Sequence, residues 1–140
     1  MEFLELISLL ENSSSPEVGI DKFDFFYVKT NELFRFDIDE DRLQSHFEYR
    51  VTLRRNEFFA SELKSLARAI KKTEFRSSDR YIDLRYALVL YRGDKRVCSL
   101  FLNGAGTKLS LNYTRYKANG ELVKWFKSIA SRLVSIAKVD

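Results

Sequence analysis

Carboxylates crowd one short stretch of the chain, Asp37-Ile38-Asp39-Glu40-Asp41, with Glu48 at the spacing of a final ligand. Alternating acids of this kind are what a calcium loop supplies, because a hard cation gathers several oxygens from one tight turn. Three features argue against such a loop. Arg42 stands where it needs Gly for its sharp turn, Gln44 replaces the usual apolar residue, and the flanks alternate like strands. The stretch therefore reads as an acidic turn or a partner-facing patch, with Asp37, Asp39, Glu40 and Asp41 as its contact residues. Gly104-Ala105-Gly106-Thr107-Lys108 has the composition of a phosphate-binding loop, but Lys108 does not follow the second Gly directly and no helix pattern begins there. A hairpin turn is the expectation.

The single His46 has no sequence neighbour that would make it a nucleophile's base or a metal partner. Cys98 lies in an apolar run with Leu100 and Leu102, where a buried, inert thiol is expected. With one His and one Cys, serine or cysteine triads and zinc sites lack their residues. No catalytic residue, metal site or cofactor is assigned, and the chain reads as non-enzymatic. A mechanism built on carboxylates, Tyr and Arg stays open.

Between residues 50 and 76 the chain turns basic, with Tyr49 and Phe58 interleaved. Nucleic-acid binding by Arg50, Arg54, Arg55, Arg68 and Lys72 requires those charges to share one face, and no reader motif accompanies them. A solvated basic face is the plainer alternative.

The elements that must position these groups are legible from periodicity. Phe3, Leu6, Ile7 and Leu10 give a helix over residues 2–11, and Asn12-Ser13-Ser14-Ser15-Pro16 breaks it, so residues 12–19 read as a flexible loop. Strands are expected over 22–30 and 33–38, joined by a Thr30-Asn31-Glu32 hairpin, and over 47–54, where Phe47, Tyr49, Val51 and Leu53 alternate with polar residues. Asn56 and Glu57 then open a helix whose stripe runs Phe59, Leu63, Leu66, Ala67, Ile70. Residues 76–79 read as a loop. A meander follows, with strands at 81–92, 96–103 and 108–113, and a long helix begins after Asn119-Gly120. The fold class is α+β, an antiparallel sheet or sheets with helices packed on one side, in the order α-βββ-α-βββ-α.

Length and composition support one domain over residues 1–140. The 45% hydrophobic content is enough for a core, and 5 Gly and 1 Pro leave few breaks. No run approaches the roughly 20 apolar residues of a membrane span, and the amino terminus has no basic leader pattern, so a cytoplasmic location without membrane contact is expected. The net charge of +4 conceals a split: residues 1–40 hold ten acids against three bases, while 21 of the 24 bases follow. Such a chain presents a two-signed surface or neutralises itself across the fold.

The meander from Arg80 to Tyr113 and the closing Asn119-Gly120-Glu121-Leu122-Val123-Lys124-Trp125-Phe126 helix, in a small aromatic-rich chain, resemble bacterial immunity proteins that neutralise toxins of contact-dependent or type VI competition systems. The resemblance implies a stoichiometric inhibitor that docks on a cognate toxin and needs no catalytic groups. It makes the acidic segment the first candidate contact, reaching into the basic channel of a nuclease toxin. Nucleic-acid binding by the 50–76 stretch is the rival from another class. A homodimer through an open sheet edge is a further partner to consider.

Overall fold

A strand with apolar side chains at alternate positions must bury one face, and a helix with an apolar stripe must bury that stripe. Here the strands join edge to edge and the helices cover them. The computed structural model describes residues 2–13, 15, 19–29, 37–45, 47–54, 57–78 and 82–139, with backbone alone at 57–59 and 134–139. The elements run α1 (Phe3–Glu11), β1 (Lys22–Tyr27), α2 (Glu40–Ser45), β2 (Tyr49–Arg54), α3 (Glu57–Lys71), β3 (Glu74–Ser77), β4 (Leu84–Arg92), β5 (Lys95–Asn103), β6 (Lys108–Leu111), β7 (Thr114–Asn119) and α4 (Leu122–Val139). The strands form one antiparallel sheet in the order β2-β1-β4-β5-β6-β7-β3.

The expected α+β class holds, with the helices on a single sheet. Among the described residues the element order is α-β-α-β-α-βββββ-α, with α2 and the additional strands β3 and β7 departing from the expected order. Residues 76 and 77, expected in a loop, belong to the edge strand β3, where Phe75 and Ser77 pair with Ala118 and Tyr116. The strand expected over 108–113 ends at Leu111. Asn112 and Tyr113 have φ of 49° and 72° and turn the chain into β7, the two-residue hairpin geometry that matches strand twist. Asp37 and Ile38 lie outside any strand. The rest of the expected 33–38 strand, the 30–32 hairpin, the Asn56 cap, His46, Tyr81 and positions 14 and 16–18 of the 12–19 loop fall outside the described residues.

One face of the sheet, the inner face, packs against α1, α3 and α4. Phe23 and Phe25 of β1, Tyr86, Leu88 and Leu90 of β4 and Leu100 and Leu102 of β5 meet Leu63, Leu66, Phe126 and Ile129 of the helices in one buried cluster. Phe126 is central, its ring 5.6 Å from Tyr86 and 6.2 Å from Phe25. Removing one such ring from water stabilises the fold by roughly 1.5–3 kcal/mol. The α3 helix, about 22 Å long at 1.5 Å per residue, carries the chain from β2 at one edge to β3 at the other. The α4 helix then runs back beside it, its Trp125 indole N–H donating to the Glu62 carbonyl of α3 at 3.2 Å. Gly120 makes this turn close. A Cβ there would lie 2.7 Å from the Thr73 Cα and 2.8 Å from the Lys72 oxygen, so a side chain would push α4 away from the end of α3.

Among the described residues, α2 is the helix on the opposite, outer face. Phe26, Ala87, Val89 and Phe101 form a second cluster with Ile38 and Leu43, brought there by α2. Helices were expected on one side of the sheet, and α2 is the exception. Its six residues are too few to hold as a helix alone, so its position is set by what it docks on.

Candidate functional site

The acidic segment folds inward more than its composition suggests. Asp39 caps α2, its Oδ1 accepting the Arg42 N–H at 2.8 Å, as a carboxylate does at a helix start. Glu40 is only 3% exposed. Its carboxylate accepts the Ser110 hydroxyl at 2.7 Å and a two-nitrogen fork from Arg115, at 2.9 and 3.3 Å. Burial pushes this carboxyl up, but the Arg115 and Ser110 hydrogen bonds outweigh burial and leave it below the ordinary glutamate range. Glu40 in turn holds the Arg115 guanidinium above its ordinary value. Asp41 is exposed and accepts the Tyr113 hydroxyl at 2.8 Å, while Gln44 bridges Tyr113 and Arg96. Burial first, and then the Asp41 hydrogen bond, raise the Tyr113 phenol. Asp37 is half-buried, and its carbonyl accepts from Arg42 at 3.1 Å. Of the four acids expected to face a partner together, Glu40 faces the sheet, Asp39 caps and Asp41 holds Tyr113. No calcium loop forms, because α2 occupies its place.

The basic candidates are divided between the two faces. Arg50 points to the outer face, where it pairs with the buried Asp24 at 3.0 Å and lies over the Phe26 ring. Asp24 also accepts the Thr52 hydroxyl at 2.5 Å. Arg54 is exposed on the same side of β2, and Arg55 lies outside the described residues. Arg68 and Lys72 sit on α3, across the sheet from Arg50 and Arg54, so the 50–76 stretch does not present one continuous basic face.

Arg68 and Lys72 instead line a trough between α3 and α4. It has a volume of about 320 Å³ and is shared with Lys124 and Arg132 of the facing helix. Ser65 and Ala69 on one wall and Ser128 on the other leave room above Trp125. Arg132 pairs with Glu62 at 2.5 Å and Lys124 with Glu121 at 3.2 Å. Among the described residues, neither Arg68 nor Lys72 has a carboxylate partner. Sequence reading did not assemble this site, although Lys124, Ser128 and Arg132 recur at four-residue spacing and Ser65, Arg68 and Lys72 also share a face. The signal was present on each helix. What was missing was the antiparallel pairing that joins them. On the outer face Lys108, Lys117 and Arg76 align across β6, β7 and β3, and Arg76, Lys117 and Glu74 line a second hollow of about 350 Å³.

Nucleophile chemistry gains no support at Cys98. It is 1% exposed among apolar side chains, and burial pushes its thiol up to about 12. Tyr86, enclosed by rings, is likewise raised to about 12 by burial. Among the described residues no group of three or more His, Cys, Asp or Glu side chains could hold a metal ion. No family model, curated protein or solved structure matches the chain. Among the described residues no helix is long and apolar enough to cross a membrane.

Proposed function

We propose that the chain is a non-catalytic protein-binding module, an immunity protein that binds and neutralises a cognate bacterial toxin. The observation that carries this reading is how the buried charges are used. Asp24, Glu40 and Arg85 each have a charged partner away from the trough: Arg50, Arg115 and Asp83. Buried ion pairs answered in this way fix structure, whereas a catalytic centre holds ionisable groups turned toward a cleft. The exposed surface is then the working part, and an inhibitor acts through such a surface.

Co-expression with a toxin domain encoded beside this chain tests the reading. A one-to-one complex should form and toxin activity should reach zero at equimolar inhibitor. Persistent toxin activity with saturating chain present would refute it. Nucleic-acid binding, the rival, predicts instead an affinity for oligonucleotides that falls steeply as salt rises.

A further inference from the structure

We infer that the α3–α4 trough is a docking site for an acidic segment of a protein partner, an inference that rests on the protein-binding reading and names the surface it uses. The trough has two walls, and each supplies cations: Arg68 and Lys72 from α3, Lys124 and Arg132 from α4. Arg132 and Lys124 are engaged with Glu62 and Glu121, so the uncompensated charge lies on the α3 wall. A carboxylate approaching Arg68 or Lys72 meets the exposed head of a long side chain, with Ser65 on the same wall, while the Ser128 hydroxyl opposite accepts from Arg132 at 3.2 Å. Guanidinium and carboxylate pair through two parallel hydrogen bonds, which gives direction as well as attraction.

The dimensions suit a peptide. From Glu121 to Arg132 the α4 wall is about 16 Å long at 1.5 Å per residue, the length of an eleven-residue helix or of about five extended residues. The walls are held rigidly. Trp125 bonds to α3 across the floor, Arg132 bonds to Glu62 at one end, and Gly120 closes the other. Charged groups on a rigid frame lose less freedom on binding than groups on a loop.

The lining favours an acidic peptide over a nucleic acid. Base stacking needs an exposed aromatic face, but the one aromatic ring lining the trough, Trp125, is 6% exposed.

Two measurements test this. In the first, a fluorescein-labelled oligoglutamate of about eleven residues, a length that spans the trough, is titrated with the protein. An oligoglutamine and a single-stranded oligonucleotide of the same length serve as comparisons. The oligoglutamate should bind and shift the amide resonances of residues 65–72 and 124–132. The Arg68→Glu/Lys72→Glu double variant should weaken binding at least about tenfold, Arg68→Gln/Lys72→Gln should weaken it less, and Lys95→Glu at a distant hairpin should change it less than about twofold. Thermal melts confirm that each variant is folded. Unchanged affinity in both double variants would overturn the proposal. Tighter binding of the oligonucleotide through the same residues would overturn it too, in favour of a nucleic-acid interface.

In the second, the wild type and the double variants are titrated against the cognate toxin. Equal neutralisation by all of them removes the trough from the interface and leaves the protein-binding reading standing. If the wild type forms no toxin complex while the oligoglutamate still maps to the trough, the toxin reading fails and the site stands.

Discussion

Against the inner face, three helices bury 24 described residues in one apolar cluster. The outer face has nine such residues and one six-residue helix, and it is the outer face that carries Asp24, Glu40 and Arg85. The contrast separates two tasks. Apolar burial has no direction and grows with area, so it holds the sheet and its helices together. A buried carboxylate has a specific partner, so it fixes where a small piece must sit even when its net contribution to stability is modest. The α2 helix is placed by Glu40 and needs that placement, having little apolar area of its own.

The largest predicted effect tests the apolar side of this contrast. Phe126→Ala removes a fully buried ring from the inner cluster and should destabilise the whole protein by about 3–5 kcal/mol, seen as a lower urea midpoint for every probe at once. Glu40→Ala comes next. It leaves Arg115 and Ser110 without their acceptor, but Arg115 is about a third exposed, so a loss of about 3 kcal/mol is expected, the low end for a broken buried pair. Hydrogen exchange should then report opening confined to α2 and the β6–β7 hairpin. Exchange rising equally on α3 and α4 would mean the two faces are not separable. Replacing both partners, as in Glu40→Leu with Arg115→Met, should recover most of the loss.

Acid sharpens the same comparison with a smaller effect. The folded chain holds Glu40 below the ordinary value of 4.5, so the unfolded chain takes up this proton first as the pH falls. The stabilisation is therefore complete above that value and is lost as the pH drops through the folded one. Urea melts from neutral pH to pH near 3 should show the gap between wild type and Glu40→Gln closing in acid. A gap independent of pH would exclude the ionised pair as its source. Tyr113→Phe is the mildest change. It removes the hydrogen bonds to Asp41 and Gln44 while keeping the edge contact with Phe101, and should cost about 0.5–1.5 kcal/mol.

Residues that report their burial through spacing were legible. Val51 and Leu53 alternate, Leu63, Leu66 and Ile70 repeat at helical period, and Tyr86, Leu88 and Leu90 alternate through the centre of the sheet, and each lies where its pattern places it. The elements that were missed carry weak patterns. In β7 only Tyr116 and Ala118 turn inward, and the turn before it uses Tyr113, a residue type that rarely takes positive φ. In α2 just Leu43 reads as apolar, and its helical form depends on Arg115, 75 residues beyond Glu40. The acidic segment was visible as a cluster of charge, but not as a buried pair. The trough was invisible for a related reason: its cations come from two helices that meet only once α4 has folded back along α3.

The placement of β3 has a consequence for how the chain is made. Residues 74–77 leave the ribosome about forty residues before β7, the strand they pair with. Until that last fifth of the chain emerges, Phe75 has no Tyr116 to meet, and α3 has crossed a sheet that is still missing its far side. Pairing across such a separation is slow, because the intervening chain must be closed into a loop first. Vectorial synthesis therefore leaves this edge open longest, and it is there that a newly made chain is most exposed to pairing with its neighbours on the same message.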